Sequence, residues 1–514
     1  MRPPIPVVPS VLCLASLLGA CDGDPPLDVP VELPIDRPDR APEPYPISAS
    51  IDPGPTSTGL YETVTPFEHA DVERTHVYRA DFGGSLFAPE RNTIALRAFD
   101  GVHETPYNVV TRDRNELFLS GGTQGDIDAA EGPYVTKFDV ERGAVLWRTD
   151  LRETKALGEF LWPGLVTAHG NGGIYAIYGV RIARLDPEDG RVLAELELPT
   201  PEGFEPEDIT YNGFTVLRSG VIVTKSYGRP AGCEEQGIEA LLCATPENPI
   251  PPSIVVAVDP NTLQVLSTYQ LSEGSGGRIT SGRFGEREYI YVPGVENIVR
   301  FELTGEGLEL DPDWRVEDYL VEGQTPASAP VLMGPWVVFQ TNYSISTSPL
   351  SVYAVSQADA SVRLRTEPFS DLRAGISAIP SALTADPDNL RIYAMDAGRG
   401  QIGCLELVDG ERLEVQWVVD QTTMNHTSLV GPPEARVFVS TDAPDLLPAL
   451  AGRVPEFTEQ VVWRSAETGE ELARTEPLAP MLPGDPLAPG FDGVWYYPGL
   501  SGELLEVKVE VSTP

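Results

Sequence analysis

The 514-residue chain is short of positive charge: 36 Lys and Arg stand against 77 Asp and Glu, a formal charge of −41. A surface of that sign repels phosphate backbones and anionic headgroups, which argues against nucleic acid as a partner and against electrostatic attachment to a bilayer. Helical patterning is nearly absent, with 446–451 the one short candidate. No apolar run reaches the ~20 residues that a helix needs to cross ~30 Å of hydrocarbon. Cysteine is scarce at five, and no two are adjacent. Histidine also numbers five, and His69, His76, His103, His169 and His426 show none of the short spacings, such as His-Glu-x-x-His, that mark a metal site. A Gly-x-Ser-x-Gly elbow, a Walker loop and a dinucleotide Gly-x-Gly-x-x-Gly on a βαβ unit are missing too. No catalytic constellation is legible.

What is present begins with a leader. Arg2 gives a short basic start, an apolar stretch runs over 11–18, and Gly19 and Ala20 precede Cys21, the plan of a secretory signal. Leu18-Gly19-Ala20-Cys21 resembles the bacterial lipobox, which implies that residues 1–20 are removed and that Cys21 carries the lipid. More than one acyl chain, at ~0.8 kcal/mol per buried methylene, anchors a protein stably without a spanning segment. Asp22 resembles an inner-membrane retention signal, but not all bacteria read it so, and the choice of membrane stays open. Residues 21–60 read as a disordered linker: ten prolines fall between positions 25 and 55, with scattered acids and little apolar periodicity. Proline at that density favours extended polyproline geometry, a spacer holding the domain off the membrane.

From about residue 80 one pattern recurs: a β-rich run, a turn holding Asp or Gly, and a second β-rich run. The clearest copy is 173–177, 180–185, the turn Asp186-Pro187-Glu188-Asp189-Gly190, and 191–196. Proline presets φ and glycine accepts positive φ, as such a turn requires. Related copies lie at 134–147 and 254–266, and weaker ones at 289–308, 351–364, 391–407, 461–473 and 494–507. Their turns fall at intervals of roughly 34 to 73 residues, a repeat period that means stacked units. Each unit is too small to bury both its faces. Four-stranded sheets packed radially solve that problem, so residues 61–514 are expected to form an all-β propeller of eight blades, with seven the alternative count. The last copy supplies only two clear strands, and the β-rich run 92–99 has no other partner, so this N-terminal run is expected to complete the last blade and close the ring.

The best copies, above all 138–147 ending in Trp147, resemble the repeat of quinoprotein-like propellers, a superfamily of quinone-dependent alcohol dehydrogenases and non-enzymatic outer-membrane assembly lipoproteins. Trp147 and Trp417 fall near the end of an outer strand, with Trp314 a third candidate, whereas Trp463 stands at the start of a repeat. For a dehydrogenase the resemblance implies a vicinal cysteine pair stacked on the quinone and a Ca²⁺ site beside a catalytic Asp. The cysteine pair is missing, and the acidic loop 121–128 lacks the spaced acids and terminal Glu of an EF-hand. No cofactor and no metal ion are therefore expected.

Cys233 and Cys243 bracket a short polar loop in a chain bound for an oxidising compartment, where they are expected to form a disulfide, and Cys404 is expected to be a buried apolar residue of a strand. His69 and His76, flanking an acidic stretch ahead of the first blade, are expected at the surface. His169 and His426, near predicted strand ends, are the polar candidates for a channel mouth. The expected function is a lipid-anchored cell-envelope propeller, monomeric, binding protein or envelope polysaccharide as a scaffold. The alternative is an envelope enzyme: a degenerate quinoprotein dehydrogenase, or a hydrolase or lyase of polysaccharide.

Overall fold

The computed structural model describes residues 51–511 except 58, 81–91, 123–131, 152–158, 161, 236–239, 241–242, 246, 322–323, 345–347, 370–376, 379–381 and 447–455. The leader, Cys13, Cys21, most of the linker, most of the acidic loop 121–128 and all but Leu446 of the helical candidate lie outside the described residues. Eight four-stranded antiparallel sheets follow one another along the chain. Blades 1 to 7 span 106–150, 165–197, 209–270, 280–316, 331–366, 384–420 and 428–474, each built from its inner strand outward. Blade 8 takes its three inner strands from 488–511, and its outer strand is Asn92–Ala98, paired along its length with Leu504–Val511. The chain thus closes its own ring. No helix among the described residues is long and apolar enough to cross a membrane.

The turn between third and fourth strands shows how the repeat folds locally. Asp139, Asp186 and Asp259 open this turn in blades 1 to 3, and each carboxylate accepts a backbone N–H two or three residues on, at 2.8–3.0 Å. Such a side-chain bond mimics a backbone turn. The chain then leaves through a left-handed residue, Gly143 (φ 67) and Gly190 (φ 74), whose place Leu263 (φ 50) takes in blade 3. At Gly190 there is a second reason for glycine: a Cβ there would sit 2.5 Å from the Trp147 ring. Trp147 lies on the outer strand of blade 1 and its indole N–H donates to Pro187 O in the turn of blade 2. Trp314 repeats the contact with Ser356 O of blade 5, at 2.9 Å, and Trp417 with Ala466 O of blade 7, at 3.2 Å. Three blades therefore lock onto their successors by one device. Trp463 instead lies on the third strand of blade 7, fully buried and edge-on to Trp495 of blade 8.

Between blades the core is made of the alternate strand faces. Phe99, Val109, Leu117 and Phe138 of the first blade region pack with Ala488, Val494, Tyr496 and Leu504 of blade 8, sealing the closure with apolar surface. The inner strands are short, only three residues in Val331–Met333, Thr384–Asp386 and Ser428–Val430. Side chains such as Asn108, Thr215, Ser281, Thr384 and Thr427 on and beside these strands bond from blade to blade: Thr215 to Ser281 and Thr384 to Thr427, each at 2.7 Å.

The segment 51–80 departs from expectation. Its start, assigned to the linker by its prolines, packs on blade 2, where Gly54 bridges Glu62 and Leu60 bridges His169. Beyond it the chain runs into the channel and bonds to the inner strands around the ring. Thr111 N–H donates to Thr65 O, Ala168 N–H to Pro66 O, Ser281 N–H to Val72 O and Leu332 N–H to Glu73 O. Ala385 N–H donates to Thr75 O, Leu429 N–H to His76 O, and Tyr78 N–H to Leu429 O. Arg74 reaches Phe214 O of blade 3, and Thr65 Oγ1 donates to Pro489 O of blade 8. All eight blades are thus tied to one plug. The linker boundary is corrected accordingly: proline marks extended backbone, and an extended strand can be bound as well as free.

Candidate metal centre

The plug turns sharply inside the channel, and the turns place its polar residues. Ala70 (φ 71), Arg74 (φ 58) and His76 (φ 61) all adopt left-handed backbone, costly for residues with a Cβ and concentrated here within seven positions. One product is a buried ionic cluster. Glu68 accepts from Arg74 Nη1 at 3.1 Å, from Arg278 Nη2 at 2.7 Å and from the Tyr107 hydroxyl, and Arg278 also donates to Tyr107. Burial pushes the Glu68 carboxyl up, but Arg278 and Arg74 together pull it below its usual value, so it stays ionised. Lys225 lies fully buried beside this cluster with its ammonium donating to Ser275 O; burial, then Arg278 and Arg74, hold its pKa well below the ordinary.

The other product is a histidine cluster. His69 and His76 are fully buried, and His426, from the segment just ahead of the inner strand of blade 7, is 7% exposed. His69 and His76 meet at 3.0 Å, Nδ1 to Nε2, and the His426 ring centroid is 4.2 Å from that of His69. His76 Nδ1 lies 2.7 Å from Thr427 O, His69 Nε2 3.5 Å from Glu68 Oε2, and the backbone N–H of His426 donates to Asp485 O. One nitrogen from each ring lies within 4.8 Å of one from both others. Burial holds all three rings below the ordinary histidine value, His76 down to about 4, with neighbouring cationic groups adding to it. They are neutral, which is the form that ligates metals.

The expected site residues fare differently. His426 does face the channel, but among plug residues and not at an open mouth. His169 does not reach the axis: its Nε2 bonds Gly220 O at 2.8 Å and its Nδ1 accepts from Asn171 N–H at 3.1 Å, which makes it a buried pin between blades 2 and 3. His69 and His76 are corrected from surface to core, where with His426 they form a group that could hold a metal ion. Sequence reasoning missed the pair because a stretch without strand periodicity reads as exposed unless something else covers it. Cys233 and Cys243 are joined as a disulfide, with Cα atoms 6.0 Å apart, and Cys404 is a buried free thiol on the third strand of blade 6.

No protein-family model and no curated protein matches this sequence. Solved structures do match in fold. The quinohemoprotein alcohol dehydrogenase from Comamonas testosteroni aligns over 88% of this chain and 82% of its own, at 11% identity and a TM-score of 0.58. This chain carries the propeller fold of that enzyme. The quinohemoprotein alcohol dehydrogenase ADHIIG from Pseudomonas putida HK5 aligns over 88% of this chain and 81% of its own, at 13% identity and a TM-score of 0.52. BamB from Moraxella catarrhalis aligns over 89% of this chain and 96% of its own at 10% identity, but its TM-score of 0.34 is too low to carry an argument. Identities of this size establish architecture and nothing of chemistry. The quinone that the sequence resemblance implies does not fit the residues present: the one free cysteine among the described residues is buried within a blade, the other two are bonded to each other, and the axis is filled by the plug.

Proposed function

We propose that the chain is a cell-envelope scaffold: a propeller tethered through a lipid on Cys21, with its channel closed by its own segment 59–78 and its outer surface left to bind a protein partner. The observation that carries this reading is the plug, bonded to every blade. A propeller that binds a small molecule on its axis needs an open axis. The outer strands offer a different surface. Six and seven residues after the turn-opening aspartates, blades 1 to 3 expose Val145 and Leu146, Val192 and Leu193, and Val265 and Leu266, each 38–52% accessible. Three successive blades thus repeat one apolar pair at one position on the rim, a spacing suited to a protein and not to a small ligand. The formal charge of −41 favours a partner with a basic rim around its apolar contacts.

The test joins three measurements. Cys21→Ser removes acyl labelling and membrane association; association unchanged in that variant refutes the anchor. A photocrosslinker at position 193 traps one protein in the native envelope, and the triple variant Leu146→Glu, Leu193→Glu, Leu266→Glu loses it while its melting temperature is kept. Quinone and Ca²⁺ give neither a thermal shift nor dye reduction. Saturable quinone binding, or crosslinking indifferent to the three glutamates, overturns the scaffold reading in favour of an envelope enzyme.

A further inference from the structure

We infer that His69, His76 and His426 bind one transition-metal ion of the Zn²⁺ class, which fastens the plug to blade 7. Thr427 O can only accept, so His76 carries its proton on Nδ1 and presents a bare lone pair at Nε2. The 3.0 Å contact then requires His69 to donate from Nδ1. That leaves His69 Nε2 unprotonated, buried, without a hydrogen-bond donor, and 3.5 Å from the carboxylate oxygen of Glu68, lone pair facing lone pair. His426 Nδ1 is likewise buried with no partner. Buried polar atoms left in this state cost ~1–3 kcal/mol each.

A cation among the rings removes the conflict. With the ion accepting the lone pair of His69 Nδ1, the proton of that ring moves to Nε2 and points at Glu68, while His76 keeps its donor bond to Thr427 O. Each ring would then have one nitrogen free for the metal, and two would have the other turned to an oxygen acceptor, the arrangement by which outer partners fix the tautomer of a ligating histidine. Neutral rings are exchanged for neutral rings, so no proton is released by His69 or His76. The spacing is near what is needed. Bonds of ~2.0–2.1 Å in tetrahedral geometry put ligand nitrogens ~3.3 Å apart; His69 and His76 already stand at 3.0 Å, and no pair of the three exceeds 4.8 Å. Three imidazoles select Zn²⁺, Co²⁺, Ni²⁺ or Cu²⁺ over Ca²⁺ and Mg²⁺, which take oxygen ligands. Arg74 and Arg278 lie close; Glu68 pairs with both and offsets one of their two charges, and its own Oε2 lies 3.5 Å from His69 Nε2.

The consequence is structural. Two ligands belong to the plug and one to the ring, separated by 350 residues of chain, so the ion would hold the plug in place independently of the inner-strand bonds. The test uses the full mature chain, stripped with chelator and titrated with ZnCl₂ and with CoCl₂, both natively and during refolding. One equivalent of metal is expected, with the intense visible absorption of tetrahedral cobalt, an X-ray absorption spectrum fitted by three imidazole nitrogens, and a rise in melting temperature. His426→Ala and His426→Gln, which leave the plug sequence intact, should each lose more than about 100-fold in affinity, beyond the 10–100-fold typical of losing an outer-shell partner. Wild-type protein that takes up no metal in either procedure overturns the inference. So does uptake that both His426 variants retain, or a spectrum with only oxygen ligands, because the ion would then sit on surface carboxylates. Whatever the result, the rim crosslinking above is unaffected, so the two proposals fail separately.

Discussion

Removing the Glu68 charge is the sharpest test of how the plug is held. Glu68→Gln keeps the shape of the side chain and leaves the Arg74 and Arg278 guanidiniums, 0% and 8% exposed, facing each other without an anion. At an effective dielectric near 20, a unit charge pair at ~4 Å contributes ~4 kcal/mol. Two such pairs are lost. Against this stands the relief of no longer burying a carboxylate, itself several kcal/mol. The remainder is a destabilisation of about 3–5 kcal/mol, the range found when one partner of a buried ion pair is removed. Arg79 and Glu62 supply the control: their contact is as short, but the side chains are 74% and 42% exposed, so Glu62→Gln should cost no more than about 0.5 kcal/mol after solvent screening. Guanidinium denaturation in chelator, read by tryptophan fluorescence, gives both values. The double variant Glu68→Gln, Arg74→Met should recover part of the loss, since one unpaired cation goes with the anion. A Glu68→Gln cost below about 1 kcal/mol, or equal to that of Glu62→Gln, would refute the claim that an uncompensated buried charge is what the cluster avoids.

Three further outcomes are expected. Deleting 92–99 exposes the edge of Leu504–Val511 and should lower the melting temperature and promote aggregation, whereas deleting 22–50 should leave melting unchanged; equal melting of the two truncations would contradict ring closure by this strand. His169, held below the ordinary histidine value by burial, contributes stability fully present above pH ~6.5 and lost as the pH falls through its depressed folded value, because the unfolded chain takes the proton first. Protonating Nδ1 would also set it against the Asn171 N–H, so His169→Gln should flatten the acid limb of a stability–pH curve, and an unaltered limb would rule His169 out. A non-reduced digest should yield the Cys233 and Cys243 peptides linked, and reduction should cost about 2–3 kcal/mol for so short a loop; free thiols at both positions would contradict the pairing.

Much of the ring was readable because the repeat is local. The third strand, its turn and the fourth strand of a blade lie within about 20 residues, as in 181–197, and alternation, Asp and Gly report each of them directly. Where the reading slipped, the strand itself was the cause. In the copy at 391–407 the turn at 397–400 joins the second and third strands of blade 6, and the third-to-fourth turn lies at 409–411, which is one reason the intervals are uneven. Inner strands of three residues, such as Thr384–Asp386, are too short to show any period.

The channel is another matter. The amino-acid sequence by itself determined the outer strands of most blades and the turns between them, the place of Trp147, Trp314 and Trp417 on outer strands, the closing strand and the disulfide, all of which rest on patterns within a few dozen residues or on a strand left without a partner. Only the tertiary structure decided that 59–78 is a plug and that His69, His76 and His426 share one place. A plug segment bonded to eight different inner strands has no repeating neighbour and so no periodic sequence, and a histidine reads as exposed until something is shown to cover it. Here the cover is the ring, supplied by residues up to some 420 positions away, from Thr65 to Pro489.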